Sequence, residues 1–139
     1  MAGLTDMLRD FRSWKTTSAL LLALRDGLRK NQDVIYLTAT CSHIGYCGNI
    51  LRDFCRESGL NCRRISPNSY KVGNTYTCPI TLIFMSMNNP RNTAMHLRGC
   101  SGIAVMDHAL PDMKLDERIL LDEAIERVNE RGQRLCTSS

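Results

Sequence analysis

Three short runs in this chain are apolar without alternation: Val34-Ile35-Tyr36-Leu37-Thr38, Ile80 to Met87, and Ile103-Ala104-Val105-Met106. A strand wetted on one face alternates apolar with polar residues. Runs that do not alternate predict strands covered on both faces, as in a parallel sheet. The segments around them carry helical spacing. Residues 5–30 read as helix, with Leu4, Met7, Leu8 and Phe11 followed by a Leu20, Leu24, Leu28 ladder. The same spacing predicts that Trp14 is partly buried and that Lys15 projects from the neighbouring face.

Ile44, Cys47, Leu51, Phe54 and Cys55 set out a second helix that ends at Gly59, after a turn over Ser42 to Gly45. Leu115, Ile119, Ala124, Ile125 and Val128 line a last helix, stopped by Gly132. Cys62 to Ser66 reads as a short strand, Pro67-Asn68-Ser69 as a turn, and Tyr70–Val72 with Tyr76–Cys78 as a hairpin about Gly73-Asn74. Asn88-Asn89-Pro90 breaks the second apolar run, and a polar connection leads to the third. Leu135-Cys136-Thr137 reads as the start of one more strand. Helices alternating with buried strands predict an α/β fold, a three-layer α/β/α sandwich with a mostly parallel sheet.

Length and composition agree with one globular domain over residues 1–139. Charged residues are 23% and hydrophobic ones 43%, enough apolar surface to build a core and to exclude a disordered chain. The longest apolar run, Ala19 to Leu24, is six residues, far below the ~18 a membrane span needs. Asp6 and Asp10 interrupt the basic N-terminal region, which has no apolar export signal, so an intracellular location, cytoplasmic or nuclear, is expected. The seven cysteines form no Cys-x-x-Cys pair and read as free thiols. Cys41-x-His43-x3-Cys47 offers three zinc-ligand types, but no second pair stands nearby at ligand spacing; the plainer reading is a strand–helix turn.

Charge is unevenly placed. Residues 1–30 carry six basic and three acidic side chains, residues 101–139 five basic and eight acidic. Residues 58–106 have no acid and five basic residues, Arg63, Arg64, Lys71, Arg91 and Arg98. Gathered on one face, these would contact nucleic-acid phosphates weakly and without sequence preference.

Two motifs bear on a site at the carboxyl ends of parallel strands. Lys15-Thr16-Thr17 leads into a leucine-rich helix, and Ile103 to Met106 ends on Asp107. In order along the chain, Arg12-Ser13-Trp14-Lys15-Thr16-Thr17, then Asp33 to Thr40, then Ile80 to Met87, His96-Leu97-Arg98-Gly99 and Ile103 to Ala109 resemble the ATPase domain of large terminase subunits. These are the DNA-packaging motors of tailed phages and herpesviruses. The resemblance spans about residues 12–139 and implies a reduced P-loop NTPase-like core. It makes Lys15 and Thr16 the end of a Walker A loop and Asp107 the Walker B carboxylate, with ATP and Mg²⁺ as the ligands of an intact site.

The chain departs from that pattern where catalysis depends on it. A Walker A loop has the form Gly-x4-Gly-Lys-[Ser/Thr], its glycines letting backbone N–H groups wrap the phosphates. Here Arg9 and Trp14 stand at the glycine positions. The residues upstream read as helix where a strand is expected, and His108 follows Asp107 where the family carries a glutamate that activates water. A nuclease domain, which completes large terminases, does not fit in this length. The expectation is a terminase-like ATPase remnant with impaired catalysis, serving as a binding or regulatory protein for a related motor subunit or for DNA. Two alternatives stay open: a motor part completed by a partner subunit, and a plain interaction module in which Lys15, Asp107 and His108 are surface or capping residues.

Overall fold

The computed structural model describes the backbone of residues 4–74 and 78–137 and the side chains of residues 15–74 and 78–135. Two expectations, the burial of Trp14 and the strand at Tyr76–Cys78, therefore lie outside the described residues. The element order is α1 (Leu4–Lys30), β1 (Val34–Thr38), α2 (Cys41–Ser58), β2 (Asn61–Ser66), β3 (Ser69–Gly73), β4 (Ile80–Ser86), α3 (Pro90–His96), β5 (Ile103–Met106) and α4 (Leu115–Thr137).

The three apolar runs become β1, β4 and β5. They pair in parallel with β1 in the middle, all five of its residues buried. β3 adds antiparallel to β4 and β2 antiparallel to β3, giving one mixed five-stranded sheet in the order β2-β3-β4-β1-β5. The chain is α/β, with a parallel core and an antiparallel extension.

Along β1 successive side chains enter different clusters, as the two-residue strand period requires. Val34 and Tyr36 join Leu20 and Leu24 of α1, Leu51 of α2 and Phe84 of β4. Ile35 and Leu37 join Ala104 of β5, Leu97 just after α3, and Leu121 and Val128 of α4.

Several local expectations are corrected. α2 starts at Cys41 rather than after a Ser42–Gly45 turn, because Thr40, extended at φ −139°, already leads straight into the helix. It ends as expected at Gly59, whose φ of +72° is left-handed and costs a glycine little. The turn at Pro67-Asn68 falls where expected, but it is the hairpin turn: Tyr70 and Val72 pair with Arg64 and Cys62 of β2 and with Leu82 and Ile80 of β4, not with residues beyond Gly73-Asn74. The connection after β4 contains a helix, α3, started by Pro90 and capped by the Asn89 side chain, which accepts from the Asn92 N–H. α4 runs through Gly132 to Thr137, so no strand begins at Leu135. Gly132 is a close-approach residue, not a stop: a Cβ there would lie 2.4 Å from the Gly102 carbonyl oxygen.

α4 also covers the free edge of β5. The Asn129 side chain accepts from the Ala104 N–H (2.8 Å) and donates to the Ala104 carbonyl (3.2 Å). Those groups point away from β1, since the N–H groups of Ile103 and Asp107, each an odd number of residues from Ala104, donate to the carbonyls of Asp33, just before β1, and Leu37 within it. One amide thus takes the place of a neighbouring strand along part of this edge. Among the described residues no helix is long and apolar enough to cross a membrane.

Candidate functional site

Asp107 follows β5 at the carboxyl end of the parallel strands and is 2% exposed. The strand period puts it on the face of Ile103 and Val105, towards α1. Helical spacing on α1 brings Thr16 to meet it, at the head of the buried stripe that continues through Leu20, Ala23 and Leu24. The Thr16 hydroxyl donates to Asp107 Oδ1 at 3.1 Å and lies 3.5 Å from Oδ2. Tyr36, reaching across from β1, donates its phenol to Oδ1 at 2.8 Å. His108 Nδ1 lies 3.3 Å from both Asp107 Oδ1 and Thr16 Oγ1. With the proton on Nδ1, it donates to either oxygen.

The sequence predicts Thr16, Asp107 and His108 as site residues, and the fold brings these three together. Lys15 lies on the exposed face of α1, as the spacing predicts. Tyr36 was not among the expected residues. The available signal was a tyrosine within an apolar strand, whose hydroxyl, once buried, needs an acceptor.

The surroundings set the protonation of the neighbours. Burial, then the hydrogen bond to Asp107 and its charge, push the Tyr36 phenol far above its usual range, so it stays a donor. Burial and the Asp107 charge push the Cys47 thiol up to about 12, so it is held protonated. His108, its side chain 32% exposed, is the member of the cluster that reaches solvent.

The phosphate half of a nucleotide site has no counterpart at Lys15. α1 is helical from Leu4 to Lys30, so around Lys15 the backbone N–H groups belong to helical i→i−4 bonds rather than to an open loop. The start of the helix lies about 18 Å from Thr16 at 1.5 Å per residue, too far to bring its free N–H groups to this cluster. Nor do the residues fit a hydrated magnesium ion. A hydroxyl and a carboxylate are the right donor type, but the Asp107 side chain is fully enclosed and already holds the Thr16 and Tyr36 hydroxyls. Magnesium keeps several waters in a near-octahedral shell at about 2.0–2.1 Å, and that shell needs space that these hydroxyls take.

The other predicted residues separate. Arg63 and Arg64 lie on β2 and Lys71 on β3, where Arg63 and Lys71 are register partners. Arg64 donates to the carbonyls of Ser66 and Pro67. Arg91 and Arg98 lie at the opposite end, on and after α3. Four strand spacings separate β2 from β5, about 19 Å, so the five residues form no single basic patch. Of the zinc-ligand types in the Cys41 segment, Cys47 is buried in the core while Cys41 is exposed. Among the described residues no group of three His, Cys, Asp or Glu is placed to hold a metal ion. The chain matches no protein-family model, no curated protein and no solved structure.

Proposed function

We propose that this chain is a terminase-like ATPase-domain remnant that does not turn over ATP and works by binding, as a docking or regulatory partner of a related motor subunit or of DNA. The observation that carries this reading is the 3.1 Å bond between Thr16 and Asp107. In P-loop NTPases the hydroxyl after the Walker A lysine and the Walker B carboxylate share the magnesium ion. Here residues 91 positions apart, the ones the resemblance assigns to those two roles, meet at the carboxyl ends of parallel strands. The two apolar clusters, one with α1 and α2 and the other with α4 and Leu97 just after α3, support a three-layer sandwich with a reduced P-loop-like core.

Loss of catalysis follows from what surrounds that pair. The helix through Lys15 supplies no ring of N–H groups, and His108 stands in place of the acid. Completion by a partner's strand beside β5 is disfavoured, because Asn129 of α4 already holds the outward groups of Ala104. Between the two partners, the division of basic residues over opposite ends of the sheet favours the motor subunit over duplex DNA.

Calorimetry with ATP and Mg²⁺ tests the reading. The wild-type chain is expected to give no saturable heat. Arg9→Gly with Trp14→Gly, which restores the Gly-x4-Gly-Lys-Thr pattern, combined with Tyr36→Phe, which frees the Asp107 carboxylate of the phenol, is expected to gain Mg-ATP binding that Asp107→Asn then removes. Saturable binding by the wild type, or turnover near ~1 s⁻¹ that Lys15→Ala abolishes, contradicts the loss of function. Failure of both wild type and the restored variant makes a plain interaction module the better account.

A further inference from the structure

A second site stands apart from the Asp107 cluster, between helices of the other apolar cluster. α3, the turn after it and α4 enclose a groove of about 140 Å³ into which Arg91, Arg98, Arg127 and Arg131 project. Its apolar wall includes Ala94, Leu97 and Ala124. Arg127 and Arg131 are one helical turn apart and so share a face of α4.

The four guanidinium groups are not equivalent. Arg91 is ion-paired with Asp116 at 2.8 Å, both exposed. Arg131 is fixed by the protein: its Nε donates to the Cys100 carbonyl at 2.6 Å and a terminal nitrogen to the Leu97 carbonyl at 3.1 Å. Arg98 and Arg127 have no carboxylate partner among the described residues. Glu123 is the one acid on the lining. Positive charge is therefore in excess around a concave, partly apolar space.

We propose that this groove binds a single phosphate group, with Arg98 and Arg127 as its direct contacts and Arg131 as a pre-positioned third. Guanidinium groups present paired N–H donors that match phosphate oxygens, and a phosphate has more acceptor oxygens and more charge than a carboxylate to occupy three of them. The space suits the size: at roughly 30 Å³ per water, the groove has room for a phosphate group with a few waters. A length of duplex backbone suits it poorly, because Glu123 stands on the lining itself and α4 also carries Glu126 and Glu130 on exposed positions. Like charges there would repel the flanking phosphates. The site does not depend on the nucleotide-scaffold reading.

The test is titration of the wild-type protein with inorganic phosphate at constant ionic strength, followed by arginine side-chain NMR. Saturable binding in the millimolar range or tighter is expected, with shifts at Arg98 and Arg127. Arg98→Gln and Arg127→Gln should each weaken it about tenfold or more. Arg118→Gln, on α4 but outside the groove and paired with Asp122, should leave it unchanged. Thermal melts of the variants establish that they fold. A second arm uses a short oligonucleotide with and without a 5′-phosphate. Preference for the phosphorylated end identifies a nucleic-acid terminus as the source of the phosphate. Equal affinity for the two, with inorganic phosphate still saturating, identifies a small phosphate. Absence of saturation, equal response in Arg118→Gln, or wild-type affinity in the folded Arg98→Gln and Arg127→Gln variants overturns the site.

Discussion

Asp107 is a buried carboxylate that accepts hydroxyls from two other elements and has the His108 ring beside it, so each donor bears on stability. Removing the Tyr36 hydroxyl leaves that carboxylate one donor short in a dry site, and a hydrogen bond to a charged group is worth about 1.5–3 kcal/mol. Tyr36→Phe is expected to lower unfolding free energy by about that amount in urea titrations, while a neutral result would mean that the bond contributes nothing net. The thiols give a pH signature. Burial pushes Cys47 and Cys55 from 9.0 up to about 12, helped by Asp107 for the first and by Cys62 for the second. A folded-state value above the unfolded one stabilises below the unfolded value and is lost as pH rises through the folded one. Between about pH 9 and 12 the unfolded chain has released these protons and the native chain has not, so stability falls at about 1.4 kcal/mol per pH unit for each thiol. Cys47→Ala is expected to make that alkaline slope shallower by one proton; an unchanged slope would remove Cys47 from the account.

At the scale of elements, α4 and β5 depend on one another through an amide and a pair of glycines. Asn129→Ala would leave the outward N–H and carbonyl of Ala104 without their partner. The expected loss is about 1–3 kcal/mol, together with self-association visible by size-exclusion chromatography as the strand edge is uncovered; a monomer of wild-type stability would contradict it. Gly132→Ala gives the opposite of the usual helix result. Alanine normally gains up to about 1 kcal/mol over glycine inside a helix, but here the Cβ would meet the Gly102 carbonyl at 2.4 Å. The expected outcome in chemical denaturation is a loss of about 1–3 kcal/mol, typical of overpacking.

These same elements mark what the sequence made legible. The three parallel strands were readable because non-alternating apolar runs admit few other placements. α1 was readable as helix from its leucine ladder. α3 was not, because seven residues are too few for a periodicity, although Asn89-Pro90 is a start signal. Gly132 misled because close approach and helix termination both select glycine, and only the position of Gly102 separates them. The Pro67-Asn68 turn was legible, but the partners of Tyr70 and Val72 were not: a strand beyond Gly73-Asn74 fits the local pattern equally well, and the fold pairs these residues with β2 and β4. Of the site, Thr16, Asp107 and His108 were legible as chemistry, whereas Tyr36 was concealed within its strand. Arg127 and Arg131 join Arg91 and Arg98 only through folding, from a segment whose overall acidity masks them.

At the scale of the whole molecule, the sheet holds two separate places for chemistry. The carboxyl end of β5 has the buried Asp107 carboxylate and the Thr16 hydroxyl, closed over by α1. The α3–α4 groove, on the side of the other apolar cluster, has the unneutralised arginines. On the proposed function, the first is the remnant of a motor site and the second a place where the fold binds. That function rests on α1 being unbroken where a phosphate loop would have to open. Amide hydrogen exchange of the native chain, followed residue by residue with and without Mg-ATP, tests that claim most directly. The account predicts slow exchange at residues 9–16, as in the rest of a packed helix, and no change on adding nucleotide. Fast exchange through residues 9–16, with protection gained on addition of Mg-ATP, would contradict it.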